Sequence, residues 1–231
     1  MTHWINKLAG RFIVFDGPDG SGKSTQFSRF AAQCTEHNIK VCEVREPGGT
    51  SIGEQIRRVL LDPANTEMAL RCEMMLYMAS RAQLVEQIIR PAIARNELVL
   101  ADRFISSTLA YQGNAGGLNA DEILSVGRVA VGDTWPELTV VFDVDEETAA
   151  ARMTGSPKRS ARAQSQVHDG PGLFEDRMER QDARYRRLVR EGYLAQAAAQ
   201  SEKYIVIDAT QGEDTVFASL LKAMEAASKR F

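Results

Sequence analysis

The stretch RFIVFDGPDGSGKST, residues 11–25, constrains the fold more than any other part of this chain. A run rich in β-branched and aromatic residues ends at Asp16 and leads straight into Gly17-x-x-x-x-Gly22-Lys23-Ser24, and STQFSRFAAQCTEH beyond it carries a helical pattern. Strand, glycine-rich loop and helix in that order make a phosphate-binding loop, because backbone N–H groups can approach an oxyanion that the helix N-terminus also attracts. The N–H groups of residues 18–24 are expected to converge on the β-phosphate of a nucleoside triphosphate. Lys23 would neutralise β and γ oxygens and Ser24 would ligate Mg²⁺. Gly17, Gly20, Ser21, Gly22, Lys23, Ser24 and Thr25 form the candidate triphosphate-binding set.

Four further apolar runs follow: IKVCEV (39–44), ELVLAD (97–102), LTVVFDV (138–144) and YIVID (204–208). They are nearly continuous rather than alternating, as expected of strands buried on both faces of a parallel sheet. Helical patterns lie between them. The longest is TEMALRCEMMLYMASRAQLVEQIIRPAI, and NADEILSVGRVAVG opens with Asn119 and Glu122 in a capping-box arrangement. The alternation predicts a doubly wound α/β fold, a five-stranded parallel sheet flanked by helices, with ligands at the carboxyl ends of the strands. With 231 residues, 44% of them hydrophobic, one domain over 1–231 is expected. REPGGTS (45–51) reads as a turn, and residues 154–172, with Gly, Pro, Ser and basic residues but no apolar period, read as a loop.

A net charge of −3 gives no global reason to expect nucleic acid or an anionic membrane as partner. Three cysteines, Cys34, Cys42 and Cys72, without C-x-x-C spacing fit a reducing compartment. No leader pattern and no long apolar segment is visible, so a cytoplasmic location is expected.

A phosphate loop alone does not say where the phosphate goes. The guanine-reading N-K-x-D motif is missing, since Asn6-Lys7 precedes the first strand, and LSGGQ does not occur. The third strand ends in Asp102-Arg103, suited to Mg²⁺ or water positioning and to holding a second phosphate; an internal ion pair is the alternative. Arg57 is a second candidate for that phosphate, against the alternative of a solvated helix charge. Tyr77 and Arg81, at i and i+4, share a helix face and could serve a base by stacking and hydrogen bonding, or be ordinary core and its neighbour.

Five segments in this order, FDGPDGSGKST, REPGGTSIGEQIR, MASRAQLVEQIIRPAI, ADRFISSTLAYQG and DRME, resemble the thymidylate kinase family over roughly residues 10–210. The resemblance implies a P-loop nucleoside monophosphate kinase fold, ATP with Mg²⁺ as donor, dTMP as acceptor and a homodimer. It places Asp19 against the acceptor's 3′-hydroxyl, Glu46 and Pro47 along the acceptor site, and Arg57 and Arg103 on the dTMP phosphate. Tyr77, usually Phe in the family, would stack on thymine; Ser80, Arg81, Thr108 and Gln112 would reach the base, and Tyr111 would sit under the deoxyribose. Arg152 would pack on adenine, with Ser24 and Asp102 at the metal. Lys23, Asp19 and Arg103 would take part in catalysis. Gly20 stands where eukaryote-type members carry Arg, so the cation for the transferring phosphoryl is expected from a lid around 154–177, as in bacterial members. DRME suggests Arg177, with Lys158, Arg159 and Arg162 as alternatives. The Met-rich face of the long helix is a candidate dimer surface or plain core. Other readings are a kinase for a different deoxynucleotide or nucleoside, and a nucleotide-dependent switch.

Overall fold

A computed structural model describes residues 3–155 and 183–231. Five parallel strands, β1 (Phe12–Asp16), β2 (Val41–Arg45), β3 (Leu98–Asp102), β4 (Leu138–Asp143) and β5 (Tyr204–Asp208), form one sheet in the order β2-β3-β1-β4-β5. Each begins within two residues of the apolar run that predicts it. The helices are α1 (Lys23–Glu36), α2 (Ser51–Leu61), α3 (Leu70–Leu84), α4 (Arg90–Ala94), α5 (Ile105–Thr108), α6 (Ala120–Val131), α7 (Glu146–Gly155), α8 (Ala183–Ala199) and α9 (Glu213–Ala227).

The pleat of β1 splits the core in two. Ile13 and Phe15 face a layer that includes Phe27 and Phe30 of α1 and Leu220 and Met224 of α9, whereas Phe12 and Val14 face Leu84, Ile89, Phe104 and Val131. Helices thus cover both sides, which a parallel sheet needs. Expected burial on both faces holds for β1, β3 and β4 but not for the edges: β2 and β5 are only partly buried, and Val206 is exposed.

Two segments depart from the sequence reading. The long helical stretch is α3 and α4 joined by a π-helical turn at Val85–Ile89, and a second π-helical turn, Leu109–Ala115, continues α5. Asn119 does cap α6, its Oδ1 accepting from the N–H groups of Asp121 and Glu122, but Glu122 pairs with Arg71 instead of closing a capping box. On α3, Met74 and Met78 are core against Ile123 of α6, and Met75 alone of these three is exposed.

Strand register aligns the carboxyl ends. Phe15 and Arg45 both sit opposite Asp102, while the Arg103 N–H donates to the Phe15 carbonyl and the Glu46 N–H to that of Asp102. Three loops are thereby fixed to one sheet edge within single hydrogen bonds of each other.

Candidate active site

The loop after β1 is shaped by backbone conformations that side chains resist. Gly17 (φ 140°) and Gly20 (φ 78°) lie in the left-handed region, and a Cβ on either would come 2.6 Å from a backbone oxygen, that of Phe142 or Ala149. A side chain at residue 20 would therefore force the Ala149 backbone to shift. α1 opens at Lys23, so Lys23 and Ser24 sit in the first turn, where backbone N–H groups have no intrahelical carbonyl. Ser24 is exposed, and the buried Ser21 hydroxyl finds no hydrogen-bond partner among the described residues. Lys23 donates to Asp102 Oδ1. The pairing of Asp102 with Arg103 that the sequence left open does not occur. Asp102 takes Lys23, and Arg103 turns away to Asp19.

Arg103 is held by many partners. It occupies a positive φ (73°), pairs with Asp19, donates from Nη1 to Ser107 Oγ and Tyr193 Oη at 3.1 Å each, and lies over the Tyr111 ring. Tyr111 in turn donates to Asp19 Oδ2 at 3.1 Å. Burial opposes the guanidinium's charge, but Tyr111, Asp19, Tyr193 and Asp16 outweigh it and raise its pKa above the ordinary value. Arg103 is a permanent cation. Burial likewise raises the Tyr111 and Tyr193 pKa values, so both phenols keep the protons their hydrogen bonds use.

Beneath this cluster lies a carboxylate that the sequence reading did not single out. Asp16, fully buried at the end of β1, accepts from Ser106 Oγ (2.6 Å), Ser107 Oγ (2.7 Å) and Tyr193 Oη (2.6 Å). Two of those three donors also hold Arg103. Asp16 thus fixes the guanidinium both through these neighbours and by a direct ion pair to Arg103 Nη1 at 3.5 Å, an arrangement that Tyr193, distant in sequence, gives no local signal of.

The cavity above these groups measures about 290 Å³. Asp19, Lys23 and Ser24 line it from the phosphate loop, Asp102, Arg103, Thr108, Tyr111 and Gln112 from the end of β3 and the helical segment beyond it, and Glu46, Pro47, Arg57 and Tyr77 from the segments that follow β2. Arg57 Nη1 donates to the Pro47 carbonyl at 2.8 Å, beside the cis Glu46–Pro47 peptide. Ser80 and Arg81, expected at the base, lie behind the wall. Ser80 Oγ accepts from the Gly48 N–H at 3.1 Å, and Arg81, 1% exposed, donates to Glu46, the Phe104 carbonyl and Thr108 Oγ1. Arg152 is near Gly22 and donates to the carbonyls of Ala209, Thr210 and Gln211, on the outer side of the phosphate loop. Arg177, Lys158, Arg159 and Arg162, with most of the expected lid, lie outside the described residues.

Glu46 is 6% exposed, pairs with Arg81 through Oε2, and leaves Oε1 without a hydrogen-bond partner among the described residues. Burial raises its pKa from 4.5 to about 7, against the opposing pull of Arg81. Between these values the unfolded chain has released a proton that the folded chain keeps, so stability falls as pH rises from about 4.5 to about 7. Unfolding free energies measured across this range should show wild type losing on the order of 1 kcal/mol per pH unit relative to Glu46→Gln. Parallel pH profiles for the two proteins would contradict this.

A glycine-cradled phosphate loop at the switch-point edge of a parallel sheet, facing a separate arginine-bearing wall in one cavity, defines a P-loop nucleoside monophosphate kinase. The family model for thymidylate kinase matches residues 15–220. Thymidylate kinases of Symbiobacterium thermophilum and Geobacillus sp. are 41% and 40% identical to this chain, covering 93% and 94% of it and 92% and 97% of those proteins. The crystal structure of thymidylate kinase from Ehrlichia chaffeensis superposes with a TM-score of 0.69 at 28% identity, over 93% of this chain and 98% of that one. The chain belongs to the thymidylate kinase family.

Proposed function

We propose that this chain transfers the γ-phosphoryl group of ATP to dTMP, giving dTDP and ADP, within the 290 Å³ cavity. The observation that carries this reading is the meeting of two cation sets in one space: Lys23 on the phosphate loop, and Arg57 and Arg103 from segments outside that loop. A nucleotide-dependent switch needs only the first. In the reaction a 5′-phosphate oxygen of dTMP attacks the γ-phosphorus, the bond to the β–γ bridging oxygen breaks, and its electrons leave with ADP. Lys23 neutralises the β and γ oxygens, Arg57 and Arg103 hold the acceptor phosphate, and the chain's work is positioning and charge stabilisation. Tyr77 stacks on the thymine, Thr108 and Gln112 face its edge, Arg81 and Ser80 shape that wall from behind, and Tyr111 with Asp19 borders the sugar.

The exposed Ser24 hydroxyl and the Asp102 carboxylate fit a hard cation that keeps most of its water and phosphate ligands, so these residues would hold Mg²⁺. When bound, Mg²⁺ supplies charge neutralisation at the phosphates. The proposal includes one domain over 1–231, a basic lid around 154–177 supplying the transition-state cation, Arg152 at the adenine side, and a homodimer. Exposed Ile52 and Val59 on α2 and Met75 on α3 support the dimer. No helix among the described residues is long and apolar enough to cross a membrane.

ADP formation measured with ATP and Mg²⁺ against dTMP, dUMP, dCMP, UMP, AMP and GMP tests the reading. Strong preference for dTMP is expected; a preferred purine would refute the base assignment, and turnover of none would refute the transferase reading.

A further inference from the structure

A side chain that discriminates between bases must present a hydrogen-bonding end of fixed polarity, and an amide can present either a donor or an acceptor. Gln112, 2% exposed, lines the cavity from the π-helical turn at Leu109–Ala115, and its Nε2 donates to Glu73 Oε1 on α3 at 2.6 Å. Glu73 is itself only 4% exposed and does not line the cavity. Glu73 thus takes the nitrogen end of the amide. The carbonyl oxygen of this cavity-lining residue is left to accept from another donor.

Beside it, Thr108 Oγ1 accepts from Arg81 Nη2 at 3.2 Å, which commits a lone pair and leaves the hydroxyl's own proton to donate. An acceptor at Gln112 next to a donor at Thr108 matches the N3–H and O4 of thymine or uracil. Cytosine carries the reverse, an acceptor at N3 and a donor at N4, so it meets acceptor with acceptor and donor with donor.

We propose that Glu73 is a positioning residue for base specificity: by fixing the Gln112 amide with its oxygen toward the cavity, it selects pyrimidine nucleotides bearing N3–H and rejects cytosine. This rests on the reading of Gln112 as base-facing. Glu73→Gln keeps size and can still accept from Gln112, but it can also donate, so the amide is free to turn over.

The test compares kcat/KM for dTMP, dUMP and dCMP in wild type, Glu73→Gln, Gln112→Leu and the exchange variant Glu73→Gln/Gln112→Glu. In Glu73→Gln the dTMP:dCMP preference should fall roughly tenfold, mainly through KM, while dTMP:dUMP, which share the N3–H edge, stays constant. The exchange variant should restore the preference, because the amide then carried at position 73 donates to a carboxylate at position 112 whose other oxygen can only accept. A purely structural Glu73 would not be rescued this way, and if Glu73→Gln does not fold, the exchange variant carries the test alone. An unchanged dTMP:dCMP ratio in Glu73→Gln, alongside a reduced one in Gln112→Leu, would overturn the role of Glu73. An unchanged ratio in Gln112→Leu would overturn the placement of Gln112 at the base and this inference with it.

Discussion

Lys23→Met lowers kcat for ADP formation by about 10²–10³-fold, the scale for removing one preorganised group that stabilises transition-state charge. Lys23 is the cation of the first turn of α1 and points at Asp102 across the cavity end where the triphosphate belongs. Asp102 keeps about a quarter of its side chain exposed, so losing its partner strands no fully buried charge. The variant should melt close to wild type. Steady-state kinetics with saturating ATP and dTMP, next to a thermal melt, check both parts; a kcat within tenfold of wild type would remove Lys23 from the phosphate-neutralising role.

Arg81→Leu acts on stability and should cost about 3–5 kcal/mol in denaturant unfolding above about pH 7, where Glu46 is ionised in the wild-type pair, the range for breaking a fully buried ion pair from one side. Glu46 and Arg81 have side-chain exposures of 3% and 1%, and Glu46 already has one oxygen unpartnered among the described residues. Removing the guanidinium also strips a donor from the Phe104 carbonyl and from Thr108. Replacing both ends, Arg81→Leu/Glu46→Leu, should recover much of the loss because no charge then remains buried. A single-variant loss under about 1 kcal/mol would mean that water or a rearranged wall compensates.

The strands of this fold are legible because a central parallel strand must be apolar on both sides, and RFIVFD, ELVLAD and LTVVFDV are. The phosphate loop is legible for a related reason: its glycines are demanded by backbone geometry. What escapes is set by tertiary contact. Asp16 reads as the polar end of a strand until Tyr193, 177 residues away, is brought onto it. Glu73 on α3 draws no notice in the sequence, and only the fold brings Gln112, 39 residues on, against it. The two π-helical turns carry no residue signature, yet the second places Tyr111 and Gln112 along the same cavity. Spacing puts Tyr77 and Arg81 on one helix face and only the family resemblance assigns Arg81 to the base; spacing cannot say whether that face is the cavity or the wall behind it.

The ion pair between Arg103 and Asp19 joins the wall to the phosphate loop. Without an acceptor, the arginine proposed to hold its phosphate already has an internal anion, carried on the very loop that faces the donor. An incoming acceptor phosphate must therefore compete with a tethered carboxylate, and whatever the acceptor wins from Arg103 is diminished by what Asp19 gives up. On the proposed reading, the released carboxylate is then free for a hydroxyl of the acceptor's sugar. Under the proposed function, the arrival of one substrate is an exchange of partners, and it is felt on the loop that serves the other.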